Sequence, residues 1–493
     1  MLKSLQLSLS ICFLLFGAST AWGATLTHGP LVGNVTPTSA TVFVRTDQAT
    51  NNGFVRVICC AFPLDAPFST AAATDFTAEV TISGLVAGLS YTVQIFVDGA
   101  LQSTTSTFRT FPAATSISPF TFVVLTDFSI GPSGTTCKDG PGLAECPDLA
   151  SATFRSADAE NPAFVVIGGD FDHRNVGKYR DPTCDTDREC KYPKMWKDLY
   201  TCANWGTDMC AHILQKHVLV HSWDDHDYST NNGKGSYNDK LLAHDMFVRY
   251  FPSYPLPPCT NSCAGIWQKF SYAYADFFVL DSRSQRTAAC KNPPTCSGTE
   301  SMLAGYTVRG ADDQLTWLKD GLLNSTATWK FIWSSVPFNK TLLKTDSWFG
   351  YPAERDALVD WINGNNPQQK VIKNVIVLSG DLHVGAIDDG VSGSGQLPEM
   401  VSPGVNFTTV SPQRCQSVKN VGRGSWSNGM YTSGGTGHVP CNGYGVISVS
   451  TTSVTLTVKD SNGNTSKLDC VPQDTEPCVA PHRHISPLTI PAQ

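Results

Sequence analysis

Four stretches of this chain end an apolar run on an aspartate. FTFVVLTD ends at Asp127, AFVVIGGD at Asp170, HVLVHSWDDHD on Asp224, Asp225, His226 and Asp227, and NVIVLSGDLH at Asp381 and His383. Apolar runs of this length read as buried strands. In open α/β sheets, sites form in the crevice beyond the carboxyl ends of the strands, so these acids and imidazoles converge on one place. Carboxylates gathered there without partners repel one another and cost several kcal/mol of desolvation. An aspartate after a single strand is ordinarily a turn or helix N-cap residue, and a lone buried histidine is ordinarily a satisfied core group. Four strand-end acids with three adjacent histidines call for another reason, and bound cations supply it. The chemistry expected is that of a metal cluster.

The elements that must position this cluster follow from patterning. From Phe120 onward, strand-like runs alternate with helical segments, as in an α/β layer fold; TFRSADAENPAFVVIGG and DQLTWLKDGLLNSTATWKFIWSSV each read helix, turn, strand. Long Cys-, Pro- and Gly-rich loops occupy 131–148, 180–211 and 252–300, a length that is usually functional or stapled. YGVISVSTTSVTLTVKD reads as a closing hairpin, and the tail from Asp469 is expected to pack on the surface through Cys470 and Cys478. Before this region, residues 24–112 read as a small all-β sandwich of short alternating runs. Tyr91 is its corner tyrosine, and Phe111–Thr115 is the linker. No catalytic constellation lies there.

Composition bounds the rest. With 41% hydrophobic and 16% charged residues, the 493-residue chain can build full-size cores. A net charge of −7 without a basic run speaks against a nucleic-acid partner. Residues 1–23 read as a secretory signal peptide: Lys3, an apolar stretch from Leu7 to Ala18, then Ala21-Trp22-Gly23. No later stretch is apolar enough to span a bilayer. Of 17 cysteines, 16 remain once Cys12 leaves with the leader, which suits disulfides in an oxidising compartment. Close pairs such as Cys184/Cys190, Cys202/Cys210 and Cys290/Cys296 read as loop staples. Sequons at Asn34, Asn324, Asn339, Asn406 and Asn464 are candidate glycan sites. The localisation expected is extracellular.

The order Asp…GD-x-x-(H/Y)…(N/D)-H-(D/E)…G-(D/H)-x-H resembles that of the calcineurin-like metallophosphoesterases. WDDHD, VLDSRSQR (279–286), the DQLTWLKDGL helix, WSSVPF, SGDLH and PEMVSPGV are similar, more specifically, to the PhoD-like alkaline phosphatase/phosphodiesterase family. The resemblance covers nearly the whole mature chain. It implies a four-layer αββα metallophosphatase sandwich over 117–468, preceded by an immunoglobulin/fibronectin III-like sandwich and followed by a tail, 469–493. It implies Asp127 as the first metal ligand, Asp170 as the carboxylate bridging two metals, His173 where relatives place a tyrosine ligand, Asp225 as ligand of the second metal, and Asp381 with His383 as the final pair. His226 would face the phosphate and protonate the leaving oxygen, with Arg174 or Arg283 as a phosphate clamp; a structural ion pair is the alternative for each arginine. Ser129 and Asp381 depart from the wider superfamily's pattern, and His244 is the one candidate for its isolated metal-binding histidine.

The function implied is hydrolysis of phosphate mono- or diesters, with two or more metal ions activating water to attack phosphorus as hydroxide. Fe or Zn suits the His-containing site; Ca²⁺, or Mg²⁺ or Mn²⁺, suits the oxygen-rich one. A phospholipase D-type phosphodiesterase is the rival within the class. A non-catalytic secreted binding protein is the rival outside it.

Overall fold

The computed structural model describes residues 23–59, 63–128, 146–171, 188–200, 206–257, 265–292, 295–305, 313–342, 344–391, 396–405, 426–432, 443–465 and 485–493. The N-terminal part is built of strands with one 3-10 turn at Ala72–Thr74: β1 (Leu26–Gly33), β2 (Ser39–Thr46), β3 (Thr50–Ile58), β4 (Leu64–Thr70), β5 (Thr77–Ser83), β6 (Ser90–Val97) and β7 (Ala100–Arg109). Next come β8 (Phe120–Leu125), α1 (Cys146–Ala159), β9 (Val165–Ile167), α2 (Arg188–Tyr200), α3 (Gly206–Met209), β10 (Val218–His221), α4 (Asp225–Tyr228) and α5 (Lys240–Tyr250). The second half holds β11 (Gln268–Tyr272), β12 (Ala275–Val279), α6 (Gln314–Asn324), β13 (Trp329–Ser334), α7 (Pro352–Ile362) and β14 (Val375–Ser379). It ends with β15 (Val384–Asp388), β16 (Glu399–Val401), β17 (Met430–Thr432), β18 (Gly443–Val449), β19 (Ser453–Asp460) and β20 (Leu488–Pro491).

Two large mixed sheets face each other. One runs β20-β19-β18-β8-β9-β10-β1-β2-β5 and the other β11-β12-β13-β14-β16-β15-β17. Their inner faces share one core, with Phe122, Val124, Phe164 and Val220 of the first against Phe270, Phe277, Phe331 and Leu378 of the second. The aromatic rings form a continuous layer: Phe270 stacks on Phe277 at 4.6 Å and Phe277 on Phe331 at 5.0 Å, while Phe122 meets Phe277 edge-on at 5.3 Å. The outer face of the first sheet is covered by α1, α2 and α5 through Phe154, Trp196 and Phe247. That of the second is covered by α6 and α7 through Leu318, Leu322 and Leu358. A strand such as β14 is buried along its whole length because it has a core on each face, and this is why its sequence reads apolar without alternation.

The N-terminal strands are joined to this framework more closely than a linker implies. The small sheet β4-β3-β6-β7 packs on β1, β2 and β5 through Val42, Val44, Val55, Val93 and Ile95. β1 also runs parallel to β10, pairing Val32 with Val218 and Gly33 with Leu219, so three strands of the N-terminal part extend the first large sheet. Phe111, read from sequence as the start of a linker, is a core residue 1% exposed that meets Phe164, Phe270 and Tyr272. Asp75 adds a polar tie: it pairs with Arg45 at 3.0 Å and Lys197 of α2 at 3.2 Å and accepts from Tyr250 of α5. Tyr91 is a corner tyrosine, its hydroxyl accepting from Val86 N–H at 2.9 Å.

Other local expectations meet mixed outcomes. β18 and β19 form the closing hairpin. The end of the tail is a strand, β20, paired antiparallel with β19; Cys470, Cys478, Asn406 and residues 1–22 lie outside the described residues. Cys290 and Cys296 are disulfide-bonded, and Cys59 is a free thiol. Asn339, one of the candidate glycan sites, is a correction. Its side chain is fully buried and accepts from Thr341 N–H and Oγ1, so the folded chain offers no glycan site there.

Candidate metal centre

β8, β9 and β10 lie side by side and parallel in one sheet, and β14 is parallel to β13 and β16 in the other. Their carboxyl ends meet at one edge of the double layer and deliver Asp127, Asp170, Asp224, Asp225, Asp381 and His383 to it. Asp127, Asp170, Asp381 and His383 all have left-handed backbones, with φ of 55°, 49°, 61° and 56°. That region is sparsely used by residues other than glycine, asparagine and aspartate, and such conformations concentrate at functional sites. The chain approaches closely here. A Cβ at Gly169 (φ 104°) would lie 2.7 Å from Asp224 N, and one at Gly380 2.6 Å from Thr126 Oγ1. Glycine before Asp170 and before Asp381 is therefore a packing requirement.

The candidate ligand atoms fall into three overlapping sets, each within 4.8 Å: Asp127, Asp170 and His383; Asp170, Asp225 and His226; and Asp170, Asp224, Asp225 and Asp381. Asp170 belongs to all three, as a bridging carboxylate must. His383 Nε2 lies 3.2 Å from Asp127 Oδ1. The His226 amide donates to Asp170 Oδ1 at 3.3 Å, and Asn232 N–H donates to Asp225 Oδ2. Asp225 is 2% exposed, and its Oδ1 accepts no hydrogen bond among the described residues. A buried carboxylate oxygen left in that state is costly unless a cation meets it. Burial also pushes the Asp381 carboxyl well above its usual range, with Asp224 adding to the rise and Lys344 opposing it. The donor set of hard oxygens and imidazoles fits divalent or trivalent metal ions.

Protein cations already balance part of the charge. Arg283 is fully buried, donates from Nε and Nη2 to both oxygens of Asp224, the second at 2.8 Å, and donates from Nη1 to Asp346 at 2.9 Å. Its Nη2 also lies 3.5 Å from Asp381 and 3.8 Å from Asp225. Ser335 Oγ donates to the same Asp224. Burial would raise Asp346, but Arg283, Arg286 and Lys344 outweigh it and hold that carboxyl well below the ordinary value. Arg286 pairs with Asp346 at 2.6 Å. The turn carrying Arg283 is fixed by Asp281, which accepts from Trp223 Nε1 at 2.9 Å, Ile266 N at 3.1 Å, Arg283 N at 3.1 Å and Ser284 N at 2.9 Å. Gln314 at the start of α6 locks Asp281 in turn, accepting its N–H at 2.7 Å and donating to its carbonyl at 2.9 Å. VLDSRSQR and DQLTW are thus one support beneath the carboxylates.

The sequence-based site is assembled in most respects. Asp127, Asp170, Asp225, Asp381, His383 and His226 come together; His226 is 12% exposed at the mouth of the cluster and His383 21%. Of the two readings of Arg283, the structural ion pair is the one the geometry favours over the phosphate clamp, because Nε, Nη1 and Nη2 each donate to a carboxylate and the side chain has no exposed surface. His173 and Arg174 lie outside the described residues. His244 sits on α5, 3.7 Å from Asp245, and joins none of the three sets. Asp346 and Lys344 were missed. They lie in the loop KTDSW with no strand before them, and an acidic residue opposite two arginines of VLDSRSQR was the only available signal.

The chain is similar to known proteins over most of its length. The family model described as PhoD-like phosphatase matches residues 144–458, and one described as a domain of unknown function (DUF7800) matches residues 23–115. Alkaline phosphatase D of Bacillus subtilis (strain 168) is 29% identical over an alignment of 188 residues, covering 33% of this chain and 30% of that protein's length, so the match spans less than a third of that relative. The solved structure of PhoD superposes with a TM-score of 0.66 at 17% identity, covering 90% of this chain and 88% of the other. A purple acid phosphatase from yellow lupin (Lupinus luteus) seeds gives 0.57 at 13% identity, covering 89% and 72%. At these identities the two solved structures are alike in fold.

Proposed function

Because the chain belongs to the PhoD-like phosphatase family, we propose that it is a secreted, metal-dependent hydrolase of phosphate mono- or diesters. The observation that carries this reading is the meeting of Asp127, Asp170, Asp225, Asp381, His226 and His383 at the carboxyl ends of β8, β9, β10 and β14. Asp127, Asp170 and His383 would hold one ion, with Asp170 shared by a second held by Asp225 and Asp381. The His-containing position suits Fe or Zn, and the oxygen-only position suits Ca²⁺, Mg²⁺ or Mn²⁺. When bound, the ions supply positive charge to the phosphoryl group and lower the pKa of water towards neutrality.

The chain's own residues do the rest. His226 stands at the open side of the cluster, 3.9 Å from Asp225 Oδ1, where its imidazolium can give a proton to the departing ester oxygen. Asp224 and Arg283 fix the floor on which Asp225 and Asp381 sit. Two facing sheets with helices outside support the four-layer αββα reading, and the Tyr91 corner supports an immunoglobulin/fibronectin III-like reading of the N-terminal strands. The Cys290–Cys296 disulfide and the apolar leader support export. Among the described residues no helix is long and apolar enough to cross a membrane.

The test is hydrolysis of paired p-nitrophenyl mono- and diesters by the purified chain before and after metal removal. Turnover that disappears on chelation and returns with added metal is the expected result. Unchanged turnover in a demonstrably metal-free sample would defeat the proposal.

A further inference from the structure

We propose that Lys344 is the cation that meets the substrate's phosphate group. This inference rests on the reading of the site as a phosphate-ester hydrolase. Among the described residues around the cluster, Arg283 and Arg286 have side chains 0% and 2% exposed and are committed to Asp224 and Asp346. The Lys344 side chain is 24% exposed, and its ammonium reaches the cluster directly. Nζ donates to the Asp381 carbonyl at 3.0 Å and to the Asp381 carboxylate.

The loop that presents it is held from several sides. Ser347 donates to the Lys344 carbonyl through both N–H, at 3.0 Å, and Oγ, at 2.6 Å. Asp346 is pinned by the two arginines, and Leu342 and Trp348 are buried on either side. An ammonium has three donors. The bond to the Asp381 carbonyl uses one and fixes the position. Were a metal ion to take the Asp381 carboxylate, the remaining donors would be released from it, and a phosphoryl oxygen drawn to that ion would come within their reach; lysine is a common point-charge partner for phosphate.

The test compares the full chain with Lys344→Met, which keeps the length of the stem and loses the charge, with Lys344→Gln, which is one atom shorter, polar and neutral, and with Lys344→Arg. Three quantities are read: metal content by elemental analysis, affinity for inorganic phosphate by calorimetry, and KM and kcat for a phosphate monoester. Loss of one charge-assisted contact corresponds to a roughly 10–100-fold loss of affinity. Both neutral variants should therefore bind phosphate about that much more weakly. Their KM should rise in step, kcat should change much less, metal content should equal wild type, and Lys344→Arg should regain part of the phosphate affinity. Wild-type phosphate affinity and KM in the neutral variants would overturn the assignment. So would metal lost in step with affinity, since Lys344 would then be support for Asp381. A wild-type chain that neither binds phosphate nor hydrolyses the ester defeats the functional reading itself, an outcome distinct from failure of Lys344 alone.

Discussion

Arg283→Met separates a structural from a substrate-facing role for the most buried cation of the site. In the wild-type chain its guanidinium is bidentate on Asp224 and donates to Asp346, with Asp225 and Asp381 just beyond. Burial pushes the Asp224 carboxyl up, and Arg283 is what pulls it back against Asp170 and Asp225. Methionine replaces the stem without the guanidinium, leaving Asp224 without its main partner and Asp346 with Arg286. Breaking a buried ion pair from one side costs about 3–5 kcal/mol. Unfolding entropy near 60 °C is about 2 cal/mol/K per residue. For a chain of 493 residues, about 1 kcal/mol then moves Tm by about 1 °C if the chain unfolds as a unit. The expected shift is about 3–5 °C downward by scanning calorimetry. Replacing both partners, as Arg283→Met with Asp224→Leu, should recover part of it, because the stranded charge goes too. A variant with wild-type Tm and a KM raised tenfold or more would refute this reasoning and return Arg283 to the role of phosphate clamp.

Three further outcomes are expected. His226→Ala should lower kcat by about 10²–10⁴-fold while retaining its metal; a metal-free variant would make His226 a ligand. Burial raises Asp75, but hydrogen bonds from Arg45 and Tyr250 and the charge of Lys197 outweigh it, so its folded pKa lies below the ordinary 3.8. A depressed pKa contributes stability that is present above the unfolded value and lost as pH falls through the folded one. Asp75→Asn should therefore be less stable than wild type by about 1–3 kcal/mol at pH 7, with the gap closing below about pH 4; a gap that persists unchanged in acid would show that the charge of Asp75 does not contribute. A chain begun near Ala113 strips β1 from β10 and should unfold at a much lower denaturant concentration, yet any folded fraction should hold metal, because no described candidate ligand precedes Asp127. A folded, metal-replete truncation without turnover would show that the N-terminal strands form a wall of the site.

How much of this was legible in the sequence depends on how local each signal is. Strands buried on both faces, such as β8 and β14, are largely apolar runs, and the candidate ligands Asp127, Asp170, Asp225 and Asp381 stand two to four residues past the ends of β8, β9, β10 and β14. The candidate ligands Asp127, Asp170, Asp225 and Asp381 could thus be read from the sequence. Pairing partners leave no such mark. Leu31–Gly33 would read the same at an edge or beside β10, and this is why the N-terminal strands looked separable and Phe111 looked like linker. Arg283 shows a similar blindness, since an arginine after a strand reads identically whether it faces a carboxylate or a phosphate. The Asn339 sequon is a motif of three residues that carries no information about burial. Lys344 and Asp346 belong to a loop without periodicity, and their place beside Asp381 arises only from the packing of distant segments.

The central claim is that a metal cluster organised by Asp170 holds the strand-end acids together. Its most direct measurement is elemental analysis of the purified wild-type chain beside Asp170→Ala, with ester hydrolysis assayed on the same two samples. The account expects at least two metal ions per wild-type chain, a loss of metal from both positions in Asp170→Ala, and no turnover by that variant. A wild-type chain that hydrolyses the ester without stoichiometric metal, or an Asp170→Ala chain that keeps its full complement, would contradict it.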